Sequence, residues 1–175
     1  MRLSIIGAGR VGQALGRLAF AAGYEIGDVI CRTKSHARSA VGFIGAGTAQ
    51  TSTSATLSTA GLTIIATPDD SIPLAVELLR TNRWTNRADS ESRSAKPRPR
   101  PKFLPVALHT SGALSSSILD PLTLLGFSVG SCHPLQTFES PKSAVSLISR
   151  SYFCVEGGEL AVRAARNFVR RIGAR

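Results

Sequence analysis

The feature that most constrains this chain lies near its start, where the apolar run Leu3-Ser4-Ile5-Ile6 passes directly into Gly7-Ala8-Gly9-Arg10-Val11-Gly12. Behind these glycines Val11, Leu15, Leu18, Ala19 and Ala22 recur at helical spacing, so a strand, a tight turn and a helix follow one another without a linker. Each glycine then has its own task. Gly7 permits the sharp turn, Gly9 lets backbone come close to a ligand, and Gly12 lets the helix pack tightly on the strand. The first amides of the helix have no acceptor within it and sit at the positive end of its dipole, which suits them to phosphate. Gly7, Ala8, Gly9, Arg10, Val11 and Gly12 are therefore expected to hold the pyrophosphate of a dinucleotide, with Arg10 adding a charge-assisted contact. A glycine-rich turn alone is common; the strand before this one and the helix behind it carry the inference.

The pattern that opens the chain is repeated along it. Residues 26–31 read as a second strand, 36–44 as a short helix broken by Gly45-Ala46-Gly47, and 48–50 as a weak third strand. Residues 62–66 form a buried strand, 67–71 a turn and 72–79 a helix, whereas the Thr/Ser-rich stretch 51–59 has no assignable period. Strands are expected again at 104–108, 127–132 and 152–156, with a helix at 115–125 interrupted by Pro121. The last helix, 159–172, is amphipathic, with Leu160, Val162, Ala165, Phe168, Val169 and Ile172 inward and its arginines on the wet face. Strands alternating with helices predict an α/β fold, a doubly wound and mostly parallel sheet with helices on both faces.

A length of 175 residues suits one such domain and is short for an enzyme with a separate substrate domain. No apolar run approaches a membrane span, and no signal-peptide pattern precedes the glycines, so a soluble, cytoplasmic protein is expected. Cys31, Cys132 and Cys154 are far apart and lack ligand spacing, which predicts buried thiols and no metal site. The net charge of +10 is concentrated in one place: Arg80, Arg83, Arg87, Arg93, Lys96, Arg98, Arg100 and Lys102 face only Asp89 and Glu91. Alternating proline and cation at 96–101 excludes helix and central strand, so 84–102 is expected to be a basic, disordered insert interrupting the domain. With few aromatics interleaved, a solvated loop is favoured over a nucleic-acid contact.

Strand ends supply the remaining candidates. About 20 residues past the glycines an NAD site places a carboxylate on the ribose, and here Arg32-Thr33-Lys34-Ser35 stands instead. Asp28 is too early in its strand to serve. Arg32, Thr33 and Ser35 are expected to hold a 2′-phosphate, which favours NADP over NAD as cofactor. Thr67 and Pro68, at the end of the fourth strand, are expected to border the nicotinamide and ribose, while Asp69 and Asp70 have a capping alternative. His36 is read as a surface residue without a role. Two further loops, His109-Thr110-Ser111-Gly112 and His133-Pro134-Leu135-Gln136-Thr137, begin at strand carboxyl ends, where this architecture does its chemistry. His133 is the expected proton donor and acceptor, with Ser111 as its catalytic companion. His109, Thr110, Gln136 and Thr137 are candidate contacts to a small-molecule substrate.

Three motifs, GAGRVGQALGRLA at 7–19, LHTSGALSS at 108–116 and GSCHPLQTF at 130–138, resemble the bacterial family of Rossmann-like proteins that carry a C-terminal DUF2520 domain. The resemblance runs along the whole chain apart from the basic insert. It implies kinship with ketopantoate reductase, pyrroline-5-carboxylate reductase and prephenate dehydrogenase, enzymes that move hydride to or from NADP or NAD. His133-Pro134 is similar to the place of a catalytic histidine in prephenate dehydrogenases, and Ser111 falls near their active-site serine. The same resemblance implies a following helical domain that closes the substrate cleft and builds a homodimer, a domain that this chain is expected to lack. The expectation is an NADP-binding domain of an oxidoreductase, with a non-catalytic dinucleotide-binding protein, sensor or remnant, as the alternative.

Overall fold

A computed structural model describes residues 1–53, 60–81 and 104–175. The expected basic insert at 84–102 and most of the Thr/Ser-rich stretch lie outside the described residues. The elements follow in the order β1 (Arg2–Ile6), α1 (Arg10–Ala21), β2 (Glu25–Cys31), α2 (Lys34–Ile44), β3 (Thr48–Thr51), β4 (Leu62–Ile65) and α3 (Ile72–Thr81). Then come β5 (Val106–His109), a 3-10 helix (Ser116–Leu125), β6 (Ser128–Pro134), α4 (Pro141–Ile148), β7 (Phe153–Gly157) and α5 (Glu159–Arg171). The strands form one seven-stranded sheet in the order β3-β2-β1-β4-β5-β6-β7. Every neighbouring pair is parallel except β6 and β7. This is the α/β, Rossmann-like, doubly wound sheet that the alternation of periods predicts.

Because helices cover both faces, the central strands are buried on both sides, which is why they read as continuous apolar runs. Successive residues serve opposite cores. Leu3, Ile5, Ile64 and Leu108 pack with Leu15 of α1, Ile44 of α2, Ile148 of α4 and Phe168 of α5. Ile6, Ile65 and Ala107 face the other way, onto Ile72, Val76 and Leu79 of α3 and onto Leu119 and Leu122 of the 3-10 helix.

Several local expectations are corrected. The 115–125 segment is a 3-10 helix with Pro121 inside it; proline lacks the amide an α-helix needs there and crowds the preceding turn. The helix α4 was not expected, yet its start is explicit: Ser140 and Ser143 form a capping box and Pro141 takes the first turn. On α5 the inward stripe is Ala161, Ala165, Phe168, Val169 and Ile172, whereas Leu160 is exposed. The three thiols are not alike either. Cys132 is buried, Cys31 half-buried and Cys154 exposed, since β7 is an edge strand with one face open. No helix among the described residues is long and apolar enough to cross a membrane, and no group of three or more His, Cys, Asp or Glu there could hold a metal.

Candidate functional site

The three glycines of the first turn meet three different surroundings. Gly7 has φ +86°, a left-handed conformation, and a Cβ there would stand 2.6 Å from the Thr67 amide nitrogen. Its own N–H donates to the Ile30 carbonyl at 2.8 Å, tying the turn to the end of β2. A Cβ on Gly12 would come within 2.5 Å of the Gly7 carbonyl oxygen, so Gly12 is what lets α1 pack against the turn. A Cβ on Gly9 would meet nothing within 4 Å. Gly9 is the N-cap of α1, no side chain caps the helix, and its first turn holds no acid. The Gln13 side-chain amide donates to the Ala8 carbonyl at 3.0 Å and holds the turn in shape.

Around this turn lies an open cleft of about 870 Å³ at the carboxyl edge of the sheet. It sits where the chain crosses from β1 outwards to β2 and back to β4, the point at which strand order reverses. Gly7, Ala8, Gly9 and Arg10 form one wall, Arg32 a second, and Thr67 and Pro68 a third. Among the described residues no carboxylate lines it, whereas Arg10, Arg32 and His36 do, so these walls favour an anion. Asp28 takes no part: it is 3 % exposed in the middle of β2 and accepts a hydrogen bond from the Gln50 side chain. Thr67 Oγ1 is buried with no partner among the described residues. An open cradle over Gly9 at a helix N-terminus, a cationic rim and an orphaned hydroxyl together fit the phosphates and ribose of a dinucleotide.

Of the residues expected to bind cofactor, Val11, Gly12, Thr33 and Ser35 do not line this cleft. Thr33 is spent on the backbone: it is the N-cap of α2, its hydroxyl accepting from the His36 amide and bonding Ser35 Oγ at 3.2 Å. Lys34 turns away to donate to the Ala49 carbonyl. The face that α2 presents to the cleft is His36 and Ser39, spaced i and i+3, with Arg32 just before the helix beside them. That spacing was readable in the sequence, and Gln13, one turn after Gly9, was readable in the same way. Leu74 and Leu78 of α3 add an apolar wall.

The two histidine loops stand at the same edge, since β1, β4, β5 and β6 run parallel. None of their residues lines the cleft itself; β6 is three strands from β1, a distance of about 14 Å. His109 ends β5 fully buried, with Nδ1 accepting from the Ser111 amide at 3.2 Å. Burial pushes its pKa below the ordinary imidazole range. Ser111 is also buried, and its Oγ accepts from the amides of Ala113 at 3.1 Å and Leu114 at 3.2 Å. His133 is half-buried on β6, its Nδ1 3.0 Å from the Thr110 carbonyl oxygen. A carbonyl only accepts, so this bond puts a proton on Nδ1 and, in the neutral ring, leaves the lone pair on Nε2. Gly112 lies against the ring, where any Cβ would overlap it. Gln136 and Thr137 are exposed beyond the end of β6.

No protein-family model matches the chain, and no curated protein matches its sequence. Its fold is nevertheless that of several solved structures. It is similar to a candidate NADP oxidoreductase from Bacteroides fragilis, with TM-score 0.70 and 18 % identity over 98 % of this chain and 57 % of the other. It is similar to arogenate dehydrogenase from Synechocystis, with TM-score 0.68 and 16 % identity over 100 % of this chain and 58 % of that one. It also matches prephenate dehydrogenase from A. aeolicus, solved with hydroxyphenyl propionate and NAD+, with TM-score 0.65 and 11 % identity over 100 % and 58 % of the two chains. The chain spans a little over half the length of these proteins, and at such identities what it shares with them is the Rossmann-type fold.

Proposed function

We propose that this chain binds a nicotinamide dinucleotide, NADP in preference to NAD, as the cofactor half of an oxidoreductase acting on a small carbonyl, imine or hydroxy-acid substrate. The observation that carries the reading is the cradle at Gly9, open for 4 Å around the absent Cβ, at the uncapped N-terminus of α1. Gly7, Ala8, Gly9 and Arg10, with the first amides of α1 at Val11 and Gly12, would take the pyrophosphate. Arg32 would take the 2′-phosphate with His36 and Ser39 beside it, while Thr33 and Ser35 shape that corner by capping α2. Leu74 and Leu78 suit the flat face of adenine, and Thr67 and Pro68 the ribose towards the nicotinamide. When bound, the dinucleotide supplies or accepts hydride. His133 would then exchange a proton with the substrate heteroatom through Nε2, the ring nitrogen that the bond from Nδ1 to Thr110 leaves available. Thr110, Gln136 and Thr137 would orient the substrate. The HTSGAL and HPLQTF motifs support kinship with Rossmann-like proteins that carry a DUF2520 domain.

Calorimetric titration of the full chain tests the binding. NADPH is expected to bind more tightly than NADH, and Arg32→Ala to remove about a tenfold share of that preference, the worth of one charge-assisted hydrogen bond. Equal or reversed affinities would remove the 2′-phosphate assignment, and no binding of either dinucleotide would overturn the reading. Turnover with 2-keto acids, imines and hydroxy acids, lost in His133→Ala, supports the enzyme; binding without turnover in every class would assign a dinucleotide-binding protein that does no chemistry.

A further inference from the structure

The least explained group at the sheet edge is His109. It is 0 % exposed, so it is out of reach of a substrate in this conformation, yet it belongs to the loop that seats His133. Its Nδ1 accepts the Ser111 N–H, which is possible only for the neutral ring with its proton on Nε2. Nε2 in turn has no partner of full hydrogen-bond geometry among the described residues, although the Ser115 backbone lies close enough to favour a proton there. From Ser111 the order spreads in both directions. Its hydroxyl gathers the amides of Ala113 and Leu114. The residue before it, Thr110, presents its carbonyl to His133 Nδ1, and the residue after it, Gly112, lies under the His133 ring.

We propose that His109 is the positioning residue of this site: as a neutral, Nε2-protonated imidazole inside the sheet edge, it pins the 110–114 loop through the Ser111 amide and so fixes the tautomer and seat of His133. The proposal rests on the reading of His133 as the proton-transfer group, and it makes the site sensitive to acid. Protonation of His109 replaces the Nδ1 lone pair by an N–H that faces the Ser111 N–H, and the bond that pins the loop is lost. Burial is the chief obstacle to that protonation, and His133 on β6 opposes it as well. Glu156 on β7, Asp69 after β4 and the Ser115 backbone favour it. The loop therefore stays pinned at neutral pH and is released below the ordinary imidazole range.

The test is nitrogen-detected NMR of the imidazoles in the full chain, wild type against His109→Asn and His109→Leu. The Asn Oδ1 can accept from Ser111 where Nδ1 did and does not titrate, whereas Leu cannot accept at all. Wild type and His109→Asn are expected to keep His133 as the Nδ1–H tautomer, and His109→Leu to lose it to a mixture. On acidification the Ser111 amide signal of the wild type moves together with the His109 ring, and in His109→Asn that step disappears. Should His109→Leu fail to fold, the comparison of wild type with His109→Asn in acid carries the test alone. An unchanged His133 tautomer in His109→Leu, or a Ser111 amide indifferent to the titration of His109, would overturn the proposal. Neither readout needs turnover: loss of the coupling with dinucleotide binding intact rejects the positioning role, and intact coupling without activity rejects the enzymatic reading.

Discussion

At the scale of single residues the three cysteines report on three environments of one fold. Cys132 is packed inside β6, and burial, reinforced by neighbouring Cys154, pushes its pKa up to about 12, which leaves almost no thiolate at neutral pH. Cys154 is exposed on the edge strand. Cys31 is half-buried where β2 meets the glycine turn; burial raises its pKa, a hydrogen bond from the Ala8 backbone offsets part of the rise, and its side is open to the cleft. A maleimide at mildly alkaline pH is therefore expected to label Cys154 first, Cys31 slowly and Cys132 only in denaturant, as read by peptide mass spectrometry. Saturating NADPH is expected to slow Cys31 alone. A Cys31 rate indifferent to a dinucleotide that binds would place that dinucleotide elsewhere than the cleft.

At the scale of elements the turn from β1 to α1 separates binding from stability, because its glycines are needed for different reasons. Gly9→Ala adds a methyl group to open space at φ −79°, so stability is expected to stay within about 1 kcal/mol of wild type, while the methyl group fills the cradle and dinucleotide affinity falls steeply. Gly12→Ala drives its Cβ into the Gly7 carbonyl, an overlap with backbone that costs about 1–3 kcal/mol, and thermal melting is expected to report that loss first. The reverse ranking would mean that Gly9 is only a turn residue. This division of labour was legible because glycine order, strand and helix all constrain one short stretch. The central strands were legible too, since burial on both faces leaves unbroken apolar runs, whereas the edge strands β3 and β7, partly open to solvent, left a weaker pattern. The helix α4 was not: with eight residues and only Ala144 and Ile148 buried, its period is too short to emerge from the sequence. On α5 Leu160 and Ala161 compete for one inward position, and hydropathy favours the wrong one. At the cleft, Thr33 looked like a phosphate ligand because its hydroxyl is chemically suitable; only the fold reveals that capping α2 already occupies it.

The whole molecule is one sheet with a core on each face, and the cleft is the place where connections from both faces meet. Its walls come from the turn after β1, the ends of β2 and β4, the first turns of α2 and one side of α3. A ligand that spans them ties α1 and α2, which cover one core, to α3, which covers the other. Binding to the native state alone then stabilises the entire fold by mass action, about 2.7 kcal/mol at a hundredfold excess over Kd. For a chain of 175 residues that corresponds to a rise in Tm of about 5–10 °C. At equal concentration NADPH is expected to raise Tm more than NADH, and Arg32→Ala to shrink the NADPH shift towards the NADH one while leaving the latter in place. Added salt is expected to erode the NADPH advantage, because Arg32 is exposed and its attraction to phosphate is screened. The His109 loop stands about two strand spacings and the His133 loop about three, or roughly 14 Å, beyond the glycine turn. An extended dinucleotide held at Gly9 can span that distance, so a shorter nucleotide separates the two halves of the site. Adenosine 2′,5′-bisphosphate reaches Arg32 without reaching His133; it is expected to reproduce the dependence on Arg32 in differential scanning fluorimetry while leaving the His133 imidazole resonance unmoved, whereas NADPH moves both. A His133 resonance that ignores bound NADPH would detach the two histidine loops from the nicotinamide end of the site.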